Sequence, residues 1–404
     1  MRDTRRDADE RCDVAVVGAG GAGLSLLLAL DRALDRAQSL ARTHPPRVVL
    51  LDSAAHFGPE RTWCFWDGGS GPLDDLIHRS WSILEVIDPS GHPRRLDLSP
   101  MRYLMLRSPD LVTAAEEALR RLAASRLIAS VDTVEDGPGE AVVVAGDRRI
   151  RARWVFDSRP APPARPGSTT LLQHFRGWTV RLPDDLLDPA TATLMDFSVA
   201  QPPRGVAFVY CLPLDGRRAL VEYTVFSRRP LASAEYNEAL RRYLGRRWGV
   251  GANATVEAVE EGIIPMTDAV FPRRVGRRVF RLGTAGGATR PASGYTFAAM
   301  QRQADAVAAA LLSGRDPQPP AAYPARHRWM DAVLLRAIDR GHVRGAWLLA
   351  GLLANNPPQR VLRFLDGMTS LGEDVALMRT TPSVPMATAV LGDAVARARR
   401  RLSR

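Results

Sequence analysis

The 404-residue sequence predicts a mixed α/β fold: a Rossmann-like dinucleotide-binding domain, a second domain of α+β character built on an antiparallel sheet, and a C-terminal helical segment. Three observations carry that expectation. A strand, a glycine turn and a helix follow one another from Asp13. Strand-like runs crowd the stretch from Leu171 to about Pro265, and apolar helical segments recur after Met330. The expected boundaries are 11–165 with 266–320 for a discontinuous first domain, 166–265 for the second, and 321–404 for the helical segment.

In the first unit, DVAVVGAGGAGLSL, Asp13 to Val17 read as a short buried strand. Gly18, Gly20 and Gly23 then stand at the spacing G-x-G-x-x-G, and a helix starts near Ala22. Such glycines permit a tight turn, close backbone approach to a pyrophosphate and close helix packing, while the helix N-terminus supplies amide donors. A second apolar run, Val48 to Leu51, ends in Asp52, the acid expected to accept ribose hydroxyls. It falls late because ARTHPPR, Ala41 to Arg47, lengthens the connection.

The helix starting at Ser108 and the strand-like segments AVVVAG and RARWVFDSRP complete the same sheet region, and PAPPARPG from Pro160 reads as an extended crossing. In the second domain the runs LLQHFRGWTVRL, ATLMDFSV, GVAFVYCLPL and RALVEYTVFS are strands. One helix, Ala232 to Trp248, interrupts them, with Ser233 as its cap and Tyr236, Leu240, Tyr243 and Leu244 on one face. VFRLG returns the chain to the first domain as a strand, followed by the loop TAGGATRPASGYTF and a helix from Ala298 to Leu312. The last helical segments are Met330–Ile338, Val343–Leu353 and Val361–Leu365. WLLAGLLANN, from Trp347, is too short to span a bilayer and reads as a core helix in preference to an interfacial one.

Composition narrows the function classes. The three cysteines, Cys12, Cys64 and Cys211, form no metal or disulfide pattern, so no metal and a reducing, cytoplasmic compartment are expected. The N-terminal MRDTRRDADERC lacks the apolar core of a signal peptide, and no apolar run is long enough to cross a membrane. The net charge is +11, yet every basic residue is Arg, scattered and often beside an acid. No aromatic-interleaved basic platform appears, so nucleic acid is not an expected partner. A basic surface is still drawn to anionic lipid headgroups.

Several segments, in order and spacing, resemble the bacterial lycopene β-cyclases, flavoproteins of carotenoid biosynthesis. Besides the glycine unit they are RTWCFW (Arg61–Trp66), LRS (Leu106–Ser108), VFDSRP (Val155–Pro160), QHFRGW (Gln173–Trp178), LMDF (Leu194–Phe197), LVEYT (Leu220–Thr224), IPMT (Ile264–Thr267), the Gly283–Phe297 loop and FLDGM (Phe364–Met368). The resemblance implies FAD, active in its reduced form, with NADPH as external reductant. It further implies an isomerisation of lycopene or a related acyclic carotenoid without net redox change, on a protein peripherally associated with the membrane. Such chemistry requires an acid, a base, cation stabilisation and a dry pocket.

The resemblance places the acid/base residue at Glu222, whose apolar and aromatic neighbours in LVEYT are expected to raise its pKa. The position after it, commonly acidic in the family, is Tyr223, so a second carboxylate must come from elsewhere, and Asp196 in LMDF is the candidate. Among aromatic residues in matching segments, Trp63, Trp66, Trp178, Phe226 and Tyr295 are expected to face substrate, where ring faces attract cations. Arg61 and Arg107 are candidates for the pyrophosphate, and Gly283, Gly286, Gly287 and Gly294 for close approach to the flavin and its ribityl chain. Thr284 stands where related folds place an acid, and Arg290 where the family often has His. A flavin-dependent hydroxylase or isoprenoid reductase, or a noncatalytic polyene-binding flavoprotein, are the competing readings.

Overall fold

The computed structural model describes residues 9–38, 45–53, 60–251 and 253–381. Most of the charged N-terminal stretch, most of the ARTHPPR connection and the last part of the expected C-terminal segment lie outside the described residues.

The first sheet is built as the glycine unit dictates. Strand Asp9–Val17 lies between Val48–Asp52 and Arg148–Asp157, parallel to both, and helix Gly21–Gln38 follows the glycine turn. The strand Val279–Arg281 adds in parallel to Arg148–Asp157, so the chain returns to this sheet late in the sequence. Helices Gly21–Gln38, Ser108–Arg121 and Phe297–Leu312 cover one face and share one apolar core with it.

Among the described residues the second sheet has seven strands. From its edge it runs Thr255–Thr267, Thr170–Arg181, Arg218–Ser227, Val206–Pro213 and Thr191–Asp196, each antiparallel to the next. Two further strands, Ile83–Ile87 and Pro93–Asp97, extend it beyond Thr191–Asp196. They come from the stretch expected to belong wholly to the first domain. A β-hairpin of alternating residues reads the same wherever it docks, so only pairing reveals its sheet. A small third sheet joins Thr62–Asp67, Arg102–Arg107 and Arg79–Trp81.

The second sheet has two differently used faces. Helix Ser233–Trp248 buries Tyr236, Leu240, Tyr243 and Leu244 against one face, together with Trp178, Val180, Val221 and Val225. Ala232, not Ser233, sits at its N-cap, and the Glu235 carboxylate accepts from the Ala232 amide at 2.7 Å. The other face meets the small sheet and the C-terminal helices Ala325–Arg340, Gly345–Asn355, Pro358–Leu365 and Leu371–Arg379. Gly345–Asn355 is a core helix, with Leu348, Leu349, Leu352 and Leu353 all buried. The Leu371–Arg379 helix, unforeseen from sequence, is held by a true capping box between Ser370 and Glu373.

Candidate active site

Glu222 and Glu260 come together because of the residue between them. Pairing puts Glu222, Gly177 and Glu260 in register on three adjacent strands, so all three lie on one face of the sheet. Strand spacing alone would hold the two glutamate backbones roughly 10 Å apart. A Cβ on Gly177 would stand 3.2 Å from Glu260 Cγ and 3.5 Å from Glu222 Cβ, so the absence of a side chain leaves the space in which the carboxyl groups meet.

Their carboxyl groups interact, and the interaction favours a proton on Glu222 over one on Glu260. Desolvation, then the charge of Glu260, push the Glu222 pKa up to about 8, against the opposing pull of the Thr224 hydroxyl at 2.7 Å. Burial raises Glu260 as well, against the opposing pulls of the Thr62 hydroxyl at 2.9 Å, the Thr62 amide and the charge of Arg61. Protein surrounds Glu222, yet the side chain stays only half-buried and borders unfilled space.

Around the pair stands a wall of rings. Tyr210 is in register with Glu222, and its hydroxyl lies 3.4 Å from that of Tyr295. Tyr295 meets Trp66 edge-on at 4.7 Å, Trp66 stacks on Tyr103 at 6.4 Å, and Phe208 links Tyr210 to Phe226 by edge contacts at 5.0 and 5.4 Å. Burial raises the pKa of Tyr103, Tyr210 and Tyr295, so all three stay neutral phenols.

Of the aromatic candidates, Trp66, Tyr295 and Phe226 therefore join this wall. Trp63 does not: it alternates to the other face of its strand, stacks on Phe297 at 5.5 Å and packs over Gly21 and Met300. Trp178 is corrected in the same way. It pairs with Val221 and Val259, on the face covered by helix Ser233–Trp248, where Arg241 lies over its ring at 5.8 Å. Asp196 is not the second carboxylate. Its oxygens accept from the Ser198 amide and hydroxyl and from Tyr243 at 3.0 Å, on the helix side of the sheet. Sequence reasoning missed Glu260, Gly177 and Tyr210. The parity shared by Phe208 and Tyr210 with the Leu220–Glu222–Phe226 run was the available signal for the tyrosine.

The glycine turn is shaped as a dinucleotide cradle. Gly18 has φ +96°, and a Cβ there would fall on Ser158 Oγ; a Cβ on Gly23 would fall on the Gly18 carbonyl. Gly20 faces open space. Asp52 accepts from the Ala19 amide at 2.5 Å, which fixes its carboxylate at the turn. The closing loop adjoins it: a Cβ on Gly283 would stand 2.8 Å from Ala22 Cβ. Gly286 and Gly287 complete a 3-10 turn, and a Cβ on Gly294 would fall on Gln173 Oε1. Among the described residues, that oxygen and Ser293 Oγ are buried without a hydrogen-bond partner, which leaves polar groups unsatisfied at this loop. Arg107, opposite Thr62 in register, pairs with Asp110 at 3.3 Å, and Arg61 is exposed. Arg290 is buried, bonded to Asp331 at 3.1 Å and to the Phe364 carbonyl at 2.5 Å, and serves the C-terminal helices.

Solved structures share this architecture. A p-nitrophenol 4-monooxygenase from Pseudomonas putida DLL-E4 is similar with a TM-score of 0.61 at 19% identity, over 92% of this chain and 98% of that one. A geranylgeranyl bacteriochlorophyll reductase-like protein from Thermoplasma acidophilum gives 0.58 at 13%, over 94% and 99%. A flavin-dependent brominase gives 0.59 at 15%, over 97% and 100%. At these identities the likeness shows the fold, that of flavoprotein oxidoreductases and halogenases. A comparison with curated proteins gave no match. The family described as lycopene cyclase protein matches residues 13–391, nearly the whole chain, and the protein belongs to that family.

Proposed function

We propose that the protein is a lycopene β-cyclase, converting the ψ ends of lycopene to β-ionone rings, giving γ-carotene and β-carotene without net redox change. The observation that carries the reading is the carboxyl pair: an acid that keeps its proton near neutrality, set against a wall of neutral aromatic rings. In this reading the Glu222 O–H bond breaks as its proton forms a C–H bond at a terminal double bond, leaving a tertiary carbocation. The neighbouring double bond supplies the electron pair that closes the ring. The resulting ring cation loses a proton to the Glu222 carboxylate, which restores the acid. Ring faces of Tyr210, Tyr295, Trp66 and Phe226 stabilise the cations by about 0.5–2 kcal/mol each without quenching them.

The residues fit FAD. Gly18, Gly20 and Gly23 would hold its pyrophosphate, Asp52 its ribose, and Gly283, Gly286, Gly287 and Gly294 with Gln173 its flavin end. Reduced and anionic when bound, the flavin would supply negative charge that favours a nearby cation. NADPH as reductant, a cytoplasmic location and peripheral contact with the membrane belong to the same proposal; among the described residues no helix is long and apolar enough to cross a membrane.

The test is expression in a lycopene-accumulating host with chromatography of the pigments, followed by assay of purified protein with reduced FAD. Cyclised products without net consumption of reductant are expected. Stoichiometric NADPH oxidation coupled to product would overturn the reading in favour of an oxidoreductase, and tight lycopene binding without turnover in favour of a carrier.

A further inference from the structure

Helix Leu371–Arg379 has two unlike faces. Inward, Leu377 is buried in the same apolar cluster as Tyr210, Trp66 and Tyr103, and Asp374 is bonded to Arg326 at 2.8 Å and to His327. Outward, Leu371, Val375 and Met378 are spaced i, i+4, i+7 and are 68%, 44% and 44% exposed, and Met368, just before the helix, is 57% exposed. Trp329, 37% exposed, stands one turn beyond Arg326 on the neighbouring helix. A stripe of large apolar side chains on one line of a helix is uncommon on a surface that faces only water.

We propose that this stripe is where the protein seats on a bilayer containing anionic lipid. The proposal rests on the reading of a lipid-dissolved polyene as substrate and adds the surface through which the protein meets it. Charge favours lipid as the occupant. Exposed Arg379 follows Met378 at the end of the stripe, and the sequence at 397–404 carries five arginines and no acid. Tryptophan and arginine next to apolar residues match the boundary between headgroups and acyl chains. The other exposed apolar group has the opposite surroundings: Val259 and Ile263, on edge strand Thr255–Thr267, alternate with Glu257 and Glu261. Geometry agrees with charge. The helix that turns Leu371, Val375 and Met378 outward buries Leu377 in the apolar cluster that also holds Trp66, Tyr103 and Tyr210.

The test uses the full flavin-loaded chain sedimented with vesicles of mixed phosphatidylglycerol and phosphatidylcholine, and with phosphatidylcholine alone. Parent protein is expected to partition strongly into the mixed vesicles. L371E/V375E/M378E should lose about tenfold or more of that partition, and V259E/I263E should keep it. The milder L371S, at the most exposed position, should give a partial loss and keeps the test valid if the triple variant fails to retain flavin. Unchanged sedimentation of L371S and of a folded triple variant overturns the proposal. So does a triple variant that loses thermal stability or dissociates from a dimer while binding vesicles normally, since residues 382–404 or a second copy would then cover the stripe. Docking needs no turnover, so a protein that docks yet leaves lycopene unchanged fails the cyclase reading alone.

Discussion

Glu222 can act as an acid only while it keeps its proton, and two separate forces keep it there: removal from water and the charge of Glu260. They can be separated by substitution. Glu222→Gln removes the transferable proton with little change in shape, and turnover of lycopene should fall by about 10²–10⁴-fold. Glu260→Gln removes only the neighbouring charge. The Glu222 pKa should then drop, so activity that needs the protonated acid should fail at lower pH, seen as an acid-ward shift of the descending limb of the kcat/KM profile. A uniform loss at all pH values, with the limb unmoved, would place Glu260 outside the titrating pair. The same raised pKa has a consequence for stability. A carboxyl group that binds its proton more tightly in the folded state stabilises the fold fully below its unfolded pKa and loses that contribution as pH rises through about 8. Melting temperature of the parent should therefore fall between roughly pH 5 and pH 8, and that of Glu222→Gln should fall less.

At the scale of elements, the parity of a strand decides which expectations from sequence hold. Glu222, Trp66, Phe226 and Tyr295 could be singled out from short aromatic or acidic segments, and the structure sets them around one place; the strand–glycine–helix unit was legible because its glycine spacing is distinctive. Trp178 and Asp196 sit in equally suggestive motifs but on the other face of their sheet, and a single strand does not reveal which face meets the rest of the molecule. Glu260 was illegible for a different reason. VEAVEEGIIPMT is rich in Glu and contains Gly, both unfavourable in isolated strands, and only its pairing with Thr170–Arg181 makes it one. Two substitutions test the face assignment. Trp178→Leu should cost about 1–3 kcal/mol of stability, since it packs beneath helix Ser233–Trp248. Asp196→Asn should weaken the Tyr243 and Ser198 bonds. Both should leave kcat/KM of the folded fraction near the parent value; a large fall with an unchanged melting curve would return either residue to the site.

Over the whole molecule, the question is what ties the loop that closes on the cofactor cradle to the helices beyond it. Arg290 leaves that loop to bond Asp331 and the Phe364 carbonyl, between the rings of Tyr323 at 5.3 Å and Phe364 at 5.0 Å. The Tyr323 hydroxyl returns to the loop, donating to the Ala288 carbonyl at 2.9 Å. A buried ion pair adds little net stability over apolar residues of its size, but losing one member strands the other charge away from water. Arg290→Met should accordingly cost about 3–5 kcal/mol and loosen flavin retention, because Gly294 is positioned from the same loop. Replacing both partners, as Arg290→Met with Asp331→Leu, should recover most of the melting temperature. If flavin retention recovers with it, Arg290 acts as a clamp whose charge is dispensable; if stability returns but the flavin is still lost, the guanidinium itself orders the loop around the cofactor, which explains why an arginine stands where the family often has histidine.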